Sequence, residues 1–106
     1  MVPQITKQKI EIPNEAVAEF CKRNYITKLS LFGSVLRDDF TPKSDVDFLV
    51  EFHPQHIPGL IRLIGMEMEL TKVLGGHKAH ICTAEDLSKY FRKKVVTEAQ
   101  LQYVTA

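Results

Sequence analysis

The most constraining feature of this chain is a short motif between two apolar runs. Gly33-Ser34 follows the run 28–32, Asp45-Val46-Asp47 opens the run that ends at Phe52, and ten residues separate the two halves. Short apolar runs bounded by turn residues are typical of β-strands. A glycine permits close backbone approach to an anion, and two Asp residues two positions apart on a strand leave the same face. The motif therefore predicts two strands whose ends carry a site for a triphosphate and a divalent metal.

The rest of the chain predicts three helices and a third strand. The first helix begins at Pro13-Asn14-Glu15, which combines an early proline with an acidic first turn, and it ends near Asn24. The second runs from Gly59 to Leu74 and stops at the glycine pair 75–76. Its core-facing residues are expected to be Leu60, Ile61, Leu63, Ile64, Met68 and Val73.

A short third strand is predicted over residues 78–83, and a last helix is expected to open at Thr83 or Ala84. This helix is expected to carry one long apolar stripe, composed of Leu87, Tyr90, Phe91, Val95, Ala99 and Tyr103. Core packing is favoured for the first part of the stripe, whereas Tyr103 and its neighbours are candidates for a protein interface.

These elements predict a single α/β (α+β) domain over residues 1–106, in which helices cover a small mixed β-sheet and residues 1–11 are extended or loose. The net charge of +1 gives the whole molecule no drive towards nucleic acid. The two cysteines, Cys21 and Cys82, are expected to be buried thiols. Since no apolar run is long enough for a membrane span or a signal peptide, a cytoplasmic protein without membrane association is expected.

Transfer of a nucleotidyl group needs these residue types, because a polyphosphate must be neutralised while a hydroxyl attacks. Asp45 and Asp47 are oxygen ligands of the kind that magnesium prefers, and Ser34 adds a hydroxyl beside Gly33. Arg37 is either a forked phosphate donor or a solvated loop charge, and both interpretations remain open.

The motif Leu31-Phe32-Gly33-Ser34, followed by Asp45-Val46-Asp47-Phe48-Leu49-Val50, resembles that of the polymerase-β-like nucleotidyltransferase superfamily. The short length resembles its minimal nucleotidyltransferase (MNT) branch, whose prokaryotic members often act as antitoxins to a HEPN-domain ribonuclease. The resemblance covers roughly residues 13–104. It implies the polymerase-β-like fold, with Gly33 and Ser34 holding ATP and with Asp45 and Asp47 holding Mg²⁺. It also implies transfer of AMP to a tyrosine hydroxyl of a HEPN toxin, in a hetero-oligomer with that toxin or from a homodimer.

One position departs from this family pattern. A third carboxylate is expected on the later strand, and His80 occupies its place within Lys78–Thr83. An imidazole can bind a metal but adds no negative charge. Four outcomes follow: weak activity, preference for a softer metal such as Mn²⁺, use of His80 as a general base, or no turnover. Glu51 lies two pleats from Asp47 and is a poor substitute.

A binding module is the rival hypothesis, in which the same fold neutralises the toxin by occlusion alone. A transferase acting on RNA or an antibiotic is less favoured, since such enzymes are expected to need a further substrate domain. The pairs His53/His56 and His77/His80 do not fit a zinc site, because neither pair is predicted to lie in a helix and no cysteine accompanies them.

Overall fold

A computed structural model describes residues 4–5, 11–33, 45–87 and 89–105, with only the backbone described at 4–5, 11 and 89–91. A 3₁₀ turn, Ala84–Asp86, precedes the last helix. The strands and helices in chain order are β1 (Gln4–Ile5), β2 (Glu11–Ile12), α1 (Asn14–Arg23), β3 (Ile26–Phe32), β4 (Val46–Phe52), α2 (Leu60–Val73), β5 (Ala79–Cys82), α3 (Lys89–Glu98) and β6 (Gln100–Val104).

A mixed four-stranded sheet organises the domain, as the sequence predicts. The strand order is β5-β4-β3-β6, with β3 antiparallel to both β4 and β6 and with β4 parallel to β5. Strands β1 and β2 form a separate antiparallel pair within the N-terminal segment. In the described part of the chain no helix combines the length and apolar character needed to cross a bilayer.

Strand β4 has the predicted alternation, because Val46, Phe48 and Val50 are buried while Asp47 and Leu49 are only partly covered. Its buried face packs against α1 and α2 in one core. That core comprises Ile12, Val17, Phe20, Cys21, Ile26, Leu29, Leu31, Val46, Phe48, Val50, Met66, Leu70, Leu74, Ala79 and Ile81. Helix α1 follows Pro13 and ends at Arg23, with the predicted stop Asn24 as its C-cap, and the Asn24 side-chain amide donates to the Phe20 carbonyl at 2.8 Å.

The predicted inward face of α2 is wrong at four positions. Leu60, Ile61, Ile64 and Met68 are 48–88% exposed, whereas Met66 and Leu70 are buried and Leu63 and Val73 pack partly against the core. Apolar residues surround much of the first three turns, so spacing alone cannot select the arc that faces the sheet. Polar contacts to β5 fix the rotation of the helix instead, as described below.

The predicted last helix is also wrong at both ends. It begins at Lys89 rather than near Ala84, and it ends at Glu98. Residues 100–104 turn back as β6 and pair with the otherwise open edge of β3, where Tyr103 lies opposite Leu29. Ladder hydrogen bonds to β3 outweigh continuation of the helical pattern. Tyr103 is therefore partly buried against the core, and the continuous helical stripe predicted to end there does not exist.

Alanine substitution of two glycines, one inside α2 and one just after its C-terminus, should have opposite effects on stability. Gly65 lies inside α2, where an added Cβ meets nothing within 4 Å, so Gly65→Ala should raise the free energy of unfolding by about 0.5–1 kcal/mol. Gly75 has a φ of +73°, so Gly75→Ala should lower it by about 1 kcal/mol or more. Urea unfolding of both variants measures the difference, and equal signs would contradict these assignments.

Candidate active site

The turn after β3 brings the backbone of Gly33 against the side chain of Asp47. Phe32 pairs with Asp47 across the β3–β4 ladder, and Gly33 follows with a φ of +79°. A Cβ placed on Gly33 would lie 2.6 Å from Asp47 Oδ2. Glycine is therefore required twice, once for its backbone angle and once for the space that the carboxylate occupies. The two halves of the sequence motif meet at this contact.

The parallel pairing of β4 and β5 places His80 beside Asp47. The two residues are register partners, and His80 Nδ1 lies 3.5 Å from Asp47 Oδ1. The Asp47 side chain is 25% exposed and that of His80 is 55% exposed, so solvent reaches both. The structure thus places His80 at the position predicted from the sequence, next to a carboxylate of the motif.

Asp45 precedes β4 and is exposed. By strand alternation it lies on the same face as Asp47, about 6–7 Å before it in the strand direction. The adjacent Val46 N–H donates to the Lys78 carbonyl at 2.8 Å, which ties the start of β4 to the start of β5. Ser34 and Arg37, the other predicted nucleotide ligands, lie outside the described residues.

The candidate metal ligands at this end of the sheet are the carboxylates of Asp45 and Asp47, with the softer imidazole of His80 beside Asp47. Across residues 11–33, 45–87 and 89–105, no three or more His, Cys, Asp and Glu side chains are grouped so that they could hold a metal ion. Glu51 does not complete the set, because it lies four residues beyond Asp47 on β4, where it pairs with Lys28. Two aspartates nevertheless fit magnesium, which binds through one or two carboxylates and takes its remaining ligands from phosphates and water.

Helix α2 holds the outer edge of β5 with two polar side chains that the sequence analysis missed. Thr71 Oγ1 accepts the Ala79 N–H at 2.9 Å, and Glu67 Oε2 accepts the Ile81 N–H at 2.7 Å. These bonds satisfy donors of an edge strand on both sides of His80. The available signal was the spacing of Glu67 and Thr71, four residues apart and thus on one helical face.

Cys82 is a further neighbour of the site, and the prediction that it is a buried thiol is wrong in its burial. Its Sγ lies 3.5 Å from His80 Nδ1, and the residue is half-buried. Burial, with added repulsion from Asp47, Asp86 and Glu67, raises the pKa of Cys82 to about 11. Cys21 is fully buried, and burial raises its pKa to about 12. Both cysteines are therefore thiols at neutral pH.

The segment after β5 is fixed by local polar contacts. The Thr83 N–H donates to Asp86 Oδ2 at 2.9 Å, in a capping box that closes the 3₁₀ turn. Arg92 donates from Nε to the Ala84 carbonyl at 2.8 Å and from Nη2 to the Leu87 carbonyl at 3.2 Å. Arg92 thereby links α3 to residues 84–87, the segment that follows β5.

Comparison with known proteins identifies the family of this chain. The sequence profile of the family described as "Nucleotidyltransferase domain" matches residues 14–102. Two relatives from Methanocaldococcus jannaschii are named as candidate protein adenylyltransferases. MJ1379 is 30% identical over 73 residues, covering 69% of this chain and 72% of its own. MJ0128 is 32% identical over 84 residues, covering 78% and 82%.

Solved structures show the same fold. A candidate minimal nucleotidyltransferase superimposes with a TM-score of 0.66 at 30% identity, covering 81% of this chain and 85% of its own. A toxin–antitoxin structure with AMP-PNP gives a TM-score of 0.69 at 18% identity, covering 87% and 73%. This chain belongs to the nucleotidyltransferase domain family, as a minimal nucleotidyltransferase of the polymerase-β-like superfamily, and the resemblance drawn from its motif is confirmed.

The contact between Gly33 and Asp47 predicts an energetic coupling. Gly33→Ala should lower the free energy of unfolding by about 1–3 kcal/mol, because it adds both a strained φ and a collision with the carboxylate. In an Asp47→Ala background the collision is gone, so the same substitution should cost about 1 kcal/mol less. Gly76→Ala is the matched control, since Gly76 also has a positive φ but open space around its Cβ. A cost of Gly33→Ala that is equal in both backgrounds would contradict the close approach.

The raised thiol pKa values predict slow labelling by a thiol reagent in the native protein. At pH 8 a pKa of about 11 leaves roughly one Cys82 in a thousand as thiolate, against about one in ten for a pKa of 9.0. Cys82 should therefore react about a hundredfold more slowly in the native than in the unfolded chain. Asp47→Asn should accelerate Cys82 and leave Cys21 unchanged, as read by peptide mass mapping. Because folding raises these pKa values, the neutral thiols favour the native state below pH 9, and this contribution is lost as the pH rises through about 11 for Cys82 and about 12 for Cys21. Equal native and unfolded rates at Cys82 would refute the shift.

Proposed function

We propose that this protein is an antitoxin that transfers AMP from ATP to a tyrosine hydroxyl of a HEPN-type toxin. Its membership of the nucleotidyltransferase domain family supports the reaction class. The names of the two Methanocaldococcus relatives support a protein acceptor, and the toxin–antitoxin neighbour with AMP-PNP supports an adenine nucleotide and a toxin partner. The observation that carries the proposal is the contact between Gly33 and Asp47, because it joins the two motif halves at one end of the sheet.

In the proposed reaction the tyrosine oxygen forms a bond to the α-phosphorus of ATP. The bond from that phosphorus to the oxygen bridging the α- and β-phosphates breaks, pyrophosphate leaves, and the tyrosine proton passes to a base or to water. Gly33 and Ser34 are assigned to the triphosphate, and Arg37 is assigned to a phosphate oxygen. The toxin is expected to form a hetero-oligomer with this chain in the cytoplasm.

Asp45 and Asp47 are the residues that would hold the metal. Their oxygens suit Mg²⁺, while the nearby imidazole of His80 would also suit the somewhat softer Mn²⁺. A bound divalent cation supplies charge neutralisation to the polyphosphate and lowers the pKa of an attacking hydroxyl. Besides its assignment to the triphosphate, Gly33 leaves open the space that the Asp47 carboxylate fills.

His80 has a defined orientation in this scheme. Its Nδ1 is the ring nitrogen nearest to Asp47, at 3.5 Å from Oδ1. With the proton on Nδ1 directed at this carboxylate, Nε2 keeps its lone pair and can accept the tyrosine proton, as a general base does. His80 would thereby replace the third carboxylate as a proton acceptor, without adding negative charge to the site.

A second candidate function is neutralisation of the toxin by binding alone. It is favoured by the identity of the register partner of Asp47 on β5, which is His80 rather than a carboxylate. In this alternative the fold and partner are the same, but no group is transferred.

Intact-mass spectrometry of a mixture tests the proposal. The protein is incubated with ATP, Mg²⁺ or Mn²⁺, and a purified HEPN protein encoded beside it. The toxin should gain the mass of one or more AMP units, because the tyrosine oxygen takes the nucleotidyl group, and Asp47→Asn should abolish the gain. His80→Asp places a carboxylate at the register position opposite Asp47 and should raise the rate with Mg²⁺ about tenfold or more.

The variants separate the two functions. If the wild-type protein forms a complex without mass gain under either metal, and His80→Asp produces transfer, then binding alone is the native function. His80 is in that case the reason that no AMP is transferred. If Asp45→Ala with Asp47→Ala still neutralises the toxin as wild type does, transfer is not required. A mass gain that persists in Asp47→Asn would show that Asp47 is not needed as a metal ligand in the reaction.

A further inference from the structure

Helix α2 presents an apolar surface that the core does not use. The α2 apolar patch is defined here as Ile57, Leu60, Ile61, Ile64 and Met68. The exposed fraction of these side chains runs from 48% at Ile64 to 88% at Ile61. Single exposed apolar side chains are normal, whereas a contiguous group of this kind marks a contact surface.

The patch has the shape of a helix-packing surface. Leu60, Ile64 and Met68 follow one another at four-residue spacing and form one ridge along α2. Ile61 and Gly65 lie at the same spacing on the neighbouring row, so this second ridge contains a notch where a side chain is missing. Ile57 precedes the helix, in the segment that leads into α2. Nothing lies within 4 Å of an added Cβ at Gly65, so this notch is open. A partner helix can approach closely at such a point, with its own ridge between these two.

The N-terminal end of the patch is a built structure rather than a loose loop. The Tyr25 ring stacks on the His56 ring with centroids 3.8 Å apart and planes 8° from parallel. Tyr25 is held at a φ of +57°, and its carbonyl accepts the His53 N–H at 2.8 Å. These contacts order the chain that leads into Ile57, and an ordered surface loses less entropy on binding.

The exposed charged side chains of α2 are basic, whereas its two acids are half-buried. Arg62 and Lys72 are exposed on α2, and neither makes an ion pair with any residue in the described part of the chain. The acids of α2 are both engaged, since Glu69 pairs with Arg23 and Glu67 accepts the Ile81 N–H. If two copies of this chain met through the patch, the basic side chains of one copy would face those of the other, which is unfavourable. An acidic partner would instead complement these charges.

We infer that the α2 apolar patch is a docking surface for an amphipathic helix of another protein, with acidic residues flanking its apolar face. This surface lies on the outer face of the helix whose Glu67 and Thr71 hold β5, so the partner would sit beside the candidate active site without filling it. The inference goes beyond the proposed function and does not need the transfer reaction.

A designed peptide tests the surface directly. The probe is a fluorescein-labelled helical peptide of about 20 residues with leucines at four- and three-residue spacing and glutamates on both flanks. The control peptide carries lysines in place of the glutamates. Fluorescence anisotropy should show binding of the acidic peptide at least about tenfold tighter than that of the basic one, and binding should weaken with salt. Arg62→Glu with Lys72→Glu should reverse this preference.

Substitutions at Gly65 separate docking from folding. Gly65→Ala should raise the melting temperature of the free protein, whereas Gly65→Leu should fill the notch and weaken peptide binding about tenfold while the protein stays folded. Ile61→Ser should weaken binding similarly, because Ile61 is the most exposed residue of the patch. Asp45→Ala with Asp47→Ala should bind the peptide as wild type does, so that loss of transfer and loss of docking are separate results.

Three outcomes would overturn the inference. Equal binding or no binding of the two peptides would remove the acidic helix as the occupant. A dimer in light scattering that Ile61→Ser dissociates would assign the patch to a second copy of this chain. Binding to phosphatidylserine vesicles that the same substitution abolishes would assign it to a lipid surface.

Discussion

Strand β4 is the constraint on which the rest of this structure depends. It pairs antiparallel with β3 on one side and parallel with β5 on the other, and its buried face carries Val46, Phe48 and Val50 into the core. A shift of one residue would turn these three side chains outward and Asp47 inward. The burial of the apolar face therefore fixes the face from which Asp47 emerges, and the two ladders bring Phe32 and His80 to its sides. The packing of the core therefore also determines the position of the site.

Sequence patterns predicted the elements whose two faces differ in polarity. Helix α1, strands β3 to β5 and the mixed sheet could be derived because one side of each is apolar and the other polar or capped. The motif predicted that Gly33 and Asp47 belong to one site, and the family resemblance placed His80 where a third carboxylate is expected. The structure puts His80 beside Asp47. The reason for the glycine became visible only in three dimensions, because a side chain there would collide with the Asp47 carboxylate across the ladder.

The errors came from residues whose role is decided by distant partners. Val95 and Ala99 continue the helical spacing towards Tyr103, but the open edge of β3 draws residues 100–104 into a ladder. In α2 the apolar residues span too wide an arc to identify the buried side, and the rotation of the helix is set by Thr71 and Glu67 at the edge of β5. A local sequence pattern reflects only the conformational preference of that segment. Strand pairing and edge capping are long-range interactions that can override this preference.

The two contacts of α2 have a joint consequence for how this small domain works. The same helix holds β5, and with it His80, through its polar arc, while its apolar arc remains outside the core. A domain of 106 residues has a modest core, so a helix that must cap an edge strand cannot also turn all of its apolar residues inward. The exposed arc is consistent with a helix oriented both by its core residues Met66 and Leu70 and by its contacts to the edge strand. A partner seated on α2 would contact the element that positions His80 beside Asp47, which links recognition of another protein to the geometry of the candidate active site.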